Sequence, residues 1–113
     1  ADAFGYEGFD RIFTAAYQLD DTELMAFFSR RSSPQEAQAL VAGYADFLLA
    51  FGGSTAEPDP AISASRTIYI LDTYEVIFSQ GPYLIGVREA TEKQTAQNLA
   101  MQLSEKIKKV AHE

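Results

Sequence analysis

The chain contains no cysteine. That removes a thiol nucleophile, a thiolate metal site and a disulfide framework together. Tryptophan is absent, and the single histidine is His112. A Ser–His–Asp relay or a histidine metal cluster therefore has nothing to be built from. No apolar run approaches the about 18 residues that a membrane-spanning helix needs. Positive charge is also scarce: nine Lys and Arg stand against sixteen Asp and Glu, for a net charge of -7. Without a basic stripe the chain is a poor match for nucleic-acid phosphates or an anionic membrane surface. The imbalance sits in residues 1–59, which hold ten acidic and three basic side chains, whereas residues 60–113 hold six of each.

What is present suits one globular domain spanning residues 1–113, with 47% apolar residues, eight Phe and six Tyr. The chain opens on Ala1 and not on Met, as a processed or shortened protein would. Residues 1–10 mix aromatics and glycines and read as an ordered lead-in. Residues 11–19 alternate, with Phe13, Ala15, Tyr17 and Leu19 on one side and Thr14 and Gln18 on the other, the period of a strand with one buried face. Asp20–Asp21 is a turn signal, and residues 23–29 form the returning strand. Ser33, Pro34 and Glu36 then open a helix over 34–51 with a capping box. Its apolar stripe is Ala37, Leu40, Val41, Tyr44, Leu48 and Phe51, and Gly52–Gly53 closes it.

Residues 54–65, with Pro58 and Pro60, read as a linker loop. Beyond them the pattern returns. Residues 66–80 are β-rich and divide at Asp72–Thr73, Gly81–Pro82 is a turn, and residues 83–89 answer as a strand. Thr91 and Gln94 suggest a second capping box ahead of a helix over 92–111, with a stripe of Ala96, Leu99, Ala100, Leu103, Ile107 and Val110. The expectation is an α+β domain. Two ββα units, 1–53 with its aromatic lead-in and 66–113, form one antiparallel sheet with both helices packed on one face. Leu40, Leu48, Leu99 and Leu103 should be buried where helices meet sheet. The strands also carry apolar groups on their other face, as Met25 and Phe27 oppose Leu24 and Phe28. A second copy, or a partner domain of the same chain, is expected to cover that face or the sheet edge.

The candidates for chemistry are few. Arg30 and Arg31 precede a helix N-terminus, where they either hold an anion or pair with nearby acids. Asp20, Asp21 and Glu23 lack calcium-loop spacing and suit a hairpin turn. Phe51-Gly52-Gly53-Ser54 follows a helix, whereas a phosphate loop opens one, so it reads as a helix end. Asp72 and Glu75, in apolar strand sequence, are the least ordinary carboxylates and are read as a turn Asp and an outward Glu. Phe4, Tyr6, Phe9, Tyr69, Tyr74 and Tyr83 are not demanded by the helix-facing core. They either seal a sheet edge, build a homodimer interface or line a ligand groove. No catalytic residue, metal ligand or cofactor loop stands out, and no cofactor is expected.

The order Asp2-Ala3-Phe4-Gly5, Gly8-Phe9, Phe13-Thr14-Ala15, Tyr17, Phe28, Arg30-Arg31, Ser33-Pro34, Glu36-Ala37 and Tyr44 resembles an uncharacterised family of bacterial domains of unknown function. The segment Phe78-Ser79-Gln80-Gly81-Pro82-Tyr83-Leu84-Ile85-Gly86-Val87 resembles the same family as a Phe-x-x-Gly-x-Tyr-Leu-x-Gly hairpin. The likeness is to the C-terminal half of exported members, which implies a periplasmic or secreted location and carries over no activity. The function expected is a non-catalytic binding or protein-interaction domain of an exported bacterial protein. The alternatives are a small carboxylate-dependent enzyme or a purely structural dimerisation module.

Overall fold

The computed structural model describes residues 11–19, 22–62 and 64–111. Its elements run β1 (Phe13–Leu19), β2 (Thr22–Arg30), α1 (Pro34–Ala50), β3 (Ser54–Ala56), β4 (Arg66–Ile70), β5 (Thr73–Gln80), β6 (Tyr83–Ala90) and α2 (Lys93–Ala111). All six strands join one antiparallel sheet in the order β1-β2-β6-β5-β4-β3. The domain is therefore α+β, as the sequence predicts.

Local signals set the ends of α1. Ser33 Oγ accepts the Glu36 N–H at 3.1 Å, satisfying one of the unpaired donors of the first turn. The Glu36 carboxylate reaches past Ser33 to the Ser32 N–H, 3.1 Å away. At the other end Gly53 N–H donates to Leu48 O at 2.9 Å and Gly52 N–H to Leu49 O at 3.4 Å, the paired bonds of a Schellman stop. Gly52 carries the left-handed backbone that this stop requires, at φ +101°. The predicted Thr91 cap is displaced. The Ala96 N–H bonds to Glu92 O, and the Gln94 amide donates to Asn98 along the helix instead of turning back.

The expectation that both helices share one face is overturned. On β5, Val76 and Phe78 belong to the core under α2, and Ile77 between them belongs to the core under α1. On β6, Ile85 and Val87 face α2 while Leu84 faces α1. Successive strand residues point to opposite faces, so the helices lie on opposite sides of the sheet. The physical reason is in those strands: consecutive apolar residues need two dry faces, and each helix covers one. A second copy is thus not needed to cover the middle of the sheet. Nor are the two segments equivalent, because residues 66–113 hold three strands, β4, β5 and β6, before their helix, and β3 from the stretch between the segments pairs with β4. β3 falls inside the expected linker, and Ile62 of the same stretch is buried in the α2-side core.

Leu48 and Leu99 are buried as expected, whereas Leu40 and Leu103 are only half-buried. Phe51, expected in the first stripe, is 68% exposed and packs on Phe47 with ring centroids 4.8 Å apart. Gly86 lets β2 and β6 meet: the Phe27 ring lies against it, where a Cβ would sit 2.1 Å from Phe27 Cζ. The β4–β5 connection is a two-residue loop of Leu71 and Asp72, both left-handed at φ +50° and +65°. That is the pattern of a type I′ turn, made here without glycine. Leu19 pairs with Thr22, so the predicted first hairpin is present; Asp20 and Asp21 lie outside the described residues.

Candidate functional site

On the α2 side of the sheet the core buries Leu24 and Ala26 of β2 but leaves Phe13 and Ala15 of β1 exposed. Alternation turns Phe13, Ala15 and Tyr17 of β1, and Ala26 and Phe28 of β2, to this side. The C-terminal half of α2 stands beside them, and Tyr83 and Ile85 of β6 form the inner wall. A trough of about 300 Å³ results, lined by Ala15, Ala26, Phe28, Tyr83, Leu103 and Ile107 among others. Phe28 of this lining stacks on Phe13 at 5.6 Å, and the two rings are 44% and 62% exposed. On the α2 rim Lys106 Nζ lies 5.7 Å above the Tyr17 ring. The β1 face expected to be buried is thus open, because α2 packs on β5 and β6 and no third helix exists among the described residues to cover β1.

The structure divides the candidates read from the sequence. Tyr83 lines the trough, and Arg30 pairs with it in register at the end of β2, exposed. Tyr69 and Tyr74 form a separate pair at the far end of the sheet, with centroids 4.9 Å apart. Tyr69 donates to Asp72 Oδ1 at 3.1 Å, and that bond pushes the phenol up from its ordinary value. Phe4, Tyr6 and Phe9 lie outside the described residues. Arg31 is not presented to an anion. It is 6% exposed, with Nε and Nη2 at 2.8 and 2.7 Å from Glu36 Oε2 and Nη1 donating to Ser29 Oγ at 3.0 Å. Hydrogen bonds from Ser32 and Arg31 hold the Glu36 carboxyl down at about 2.

One polar cluster under α1 was read differently from sequence. Glu75, expected to point outward, is 4% exposed and faces inward. Tyr44 donates to its Oε1 at 2.6 Å, and Arg88 Nε lies 3.3 Å from the same oxygen. Alternation puts Glu75 on the same face as Ile77, and α1 covers that face. A bulge on the neighbouring strand sets its partners: Tyr74 pairs with Ala90 but Val76 with Val87, so Arg88 and Glu89 together oppose Glu75. Glu89 takes φ +68° there. Burial pushes the Glu75 carboxyl up, against the opposing pull of Arg88 and Tyr44. Burial also pushes the Tyr44 phenol up, reinforced by the Glu75 charge.

In this cluster only Arg88 reaches solvent, with its side chain 23% exposed, while Glu75 and Tyr44 are sealed. Tyr44 is 1% exposed, and no buried side-chain polar atom among the described residues lacks a hydrogen-bond partner. The trough is accessible, but its lining offers one charged group, Lys106, and no acid–base pair. Among the described residues no three His, Asp or Glu side chains gather as a metal site, and no helix is long and apolar enough to cross a membrane. The trough residues Ala15, Ala26, Phe28, Leu103 and Ile107 were not singled out as a site from sequence. The alternation of residues 13–19 was the available signal; what it lacked was the knowledge that both helices are occupied elsewhere. Comparisons of the chain with family models, curated proteins and solved structures found no match.

Proposed function

We propose that this is a non-catalytic binding and protein-interaction domain whose recognition surface is the apolar trough between β1–β2 and the C-terminal half of α2. The observation that carries this reading is the exposed Phe13–Phe28 stack, whose Phe28 ring lines that trough, since accessible aromatic side chains beside an apolar concavity are what interfaces enrich. The enzyme alternative has less support, because perturbed carboxyls and accessible space do not coincide. Glu75 is shifted but sealed, Glu36 is spent on Arg31 and Ser32, and the trough has no carboxylate in its lining.

The test uses an anionic apolar dye, anilinonaphthalene sulfonate, titrated into the native chain. Its rings suit the trough and its sulfonate suits Lys106. The expected result is saturable binding, with amide shifts confined to Ala15, Ala26, Ile85 and Leu103. Ala15→Phe fills the trough from an exposed position and should weaken binding at least about tenfold. Unchanged affinity in that variant, or shifts that map elsewhere, would overturn the assignment.

A further inference from the structure

The outer edge of β1 is a second surface, distinct from the trough, and its makeup is unusual. Strands at sheet edges present a row of unpaired backbone groups, and natural proteins blunt them by shortness, charge, proline or bulges. The opposite edge follows that rule, since β3 is three residues long. β1 has seven residues, Phe-Thr-Ala-Ala-Tyr-Gln-Leu, with no charge and no proline, and it pairs with β2 without a register shift.

The register shows which groups face outward. The loop between β1 and β2 has two residues, so its flanking pair, Leu19 and Thr22, is a hydrogen-bonded pair. Bonding alternates along an antiparallel pair, so Phe13, Ala15, Tyr17 and Leu19 direct their N–H and C=O to β2. Thr14, Ala16 and Gln18 direct theirs outward.

We infer that β1 pairs antiparallel with β1 of a second copy about a two-fold axis at Ala16, making one continuous twelve-stranded sheet. The sequence is self-complementary about that axis. Ala16 meets Ala16, and Thr14 meets Gln18 on the α1 side of the sheet. On the trough side each Tyr17 faces the small Ala15. Large meets small and polar meets polar, and the three outward residues of each chain supply about six ladder hydrogen bonds. Charge favours the same contact: two chains of net charge -7 repel in general, but this strand brings no charged side chain to the seam. A two-fold antiparallel seam keeps like faces together, so the two troughs lie side by side on one surface. The buried area is at the small end for specific interfaces, so the pair should form with a dissociation constant on the order of tens of micromolar.

The experiment is sedimentation of the full 113-residue chain from about 1 to 500 μM, bracketing that constant. The expected mass rises from 12.5 kDa toward twice that value. Ala16→Lys sets two like charges opposite each other at the axis, and Ala16→Pro removes an outward N–H without touching the β1–β2 ladder. Both should remain monomeric across the range, with an unchanged circular-dichroism spectrum. Ala16 points away from the trough, so dye binding there should survive in Ala16→Lys and separates failure of this inference from failure of the trough. A chain monomeric throughout overturns the proposal. So does a dimer indifferent to both substitutions. Slow amide exchange at Thr14, Ala16 and Gln18 in a monomer would also overturn it, by assigning the edge to an intramolecular occupant.

Discussion

Gly86→Ala is the substitution from which the packing of the sheet can be judged most sharply. The added Cβ would meet Phe27 Cζ at 2.1 Å, Cε1 at 2.4 Å and Cε2 at 2.8 Å. Comfortable carbon contacts lie near about 3.5–4.0 Å, so the ring or the strand must move by more than about an ångström. The ring has little room. Phe27 is 1% exposed, and its neighbour Tyr44, edge-on at 6.1 Å, is itself tied to Glu75. Overpacking of this kind costs about 1–3 kcal/mol and sometimes more, and the depth of the overlap argues for about 3. Alanine recovers about 0.5–1 kcal/mol of the chain entropy that glycine loses in a strand, leaving a net loss of about 2–2.5. Urea unfolding measures it. The cycle is closed with Phe27→Leu, which removes the clashing ring atoms; in that background Gly86→Ala should cost less than about 0.5 kcal/mol or stabilise slightly. Equal losses in both backgrounds, or a loss below about 0.5 kcal/mol in the native chain, would refute the reasoning.

Two further predictions concern strain and protons. Replacing Leu71-Asp72 by Asn-Gly should raise stability by about 1 kcal/mol in urea unfolding, because both positions are left-handed and Leu71 is 86% exposed, a gain that outweighs the exposed Tyr69–Asp72 hydrogen bond it removes. Glu36 and Glu75 should respond to pH in opposite senses. The Glu36 carboxyl lies below its ordinary 4.5, at about 2, so its contribution is full above 4.5 and is lost as the solution is acidified through about 2. The Glu75 carboxyl lies above 4.5, so its contribution is full below 4.5 and declines as pH rises from there. In thermal melts, the advantage of the native chain over Glu36→Gln should shrink in acid, while its standing against Glu75→Gln should improve in acid. A shift of the same sign for both would be inconsistent with the two environments described.

The helices were legible because their signals are local. Ser33, Pro34, Glu36 and the glycine pair state both ends of α1 within a turn of chain, and the structure places α1 at Pro34–Ala50 against the expected 34–51. The face each helix takes was not legible in that way, since it depends on which strands become neighbours across the sheet. The three-residue apolar runs in β5 and β6 did carry the information that two dry faces were needed. The burial of Glu75 has a related reason: alternation puts it on the Ile77 face, which is dry only because α1 crosses there, and the bulge at Arg88–Glu89 then sets the partners it meets. The Arg31–Glu36 pair was foreseeable as the ordinary alternative to an anion site, five residues apart across a helix start.

The strand order has a consequence for how the chain must be assembled. β2 finds its inner neighbour only in β6, whose Gly86 stands opposite Phe27 roughly sixty residues later, a span that makes closing this contact slow. α1 is in the same position, since β4, β5 and β6 on which it packs are all synthesised after it. During translation the first hairpin and its helix therefore leave the ribosome with apolar faces that nothing yet made can bury. The hairpin of β5 and β6, joined across the short Gly81–Pro82 turn, can form at once and offers a free β6 edge as the template for β2. Folding of the whole unit waits on the strand that is made last.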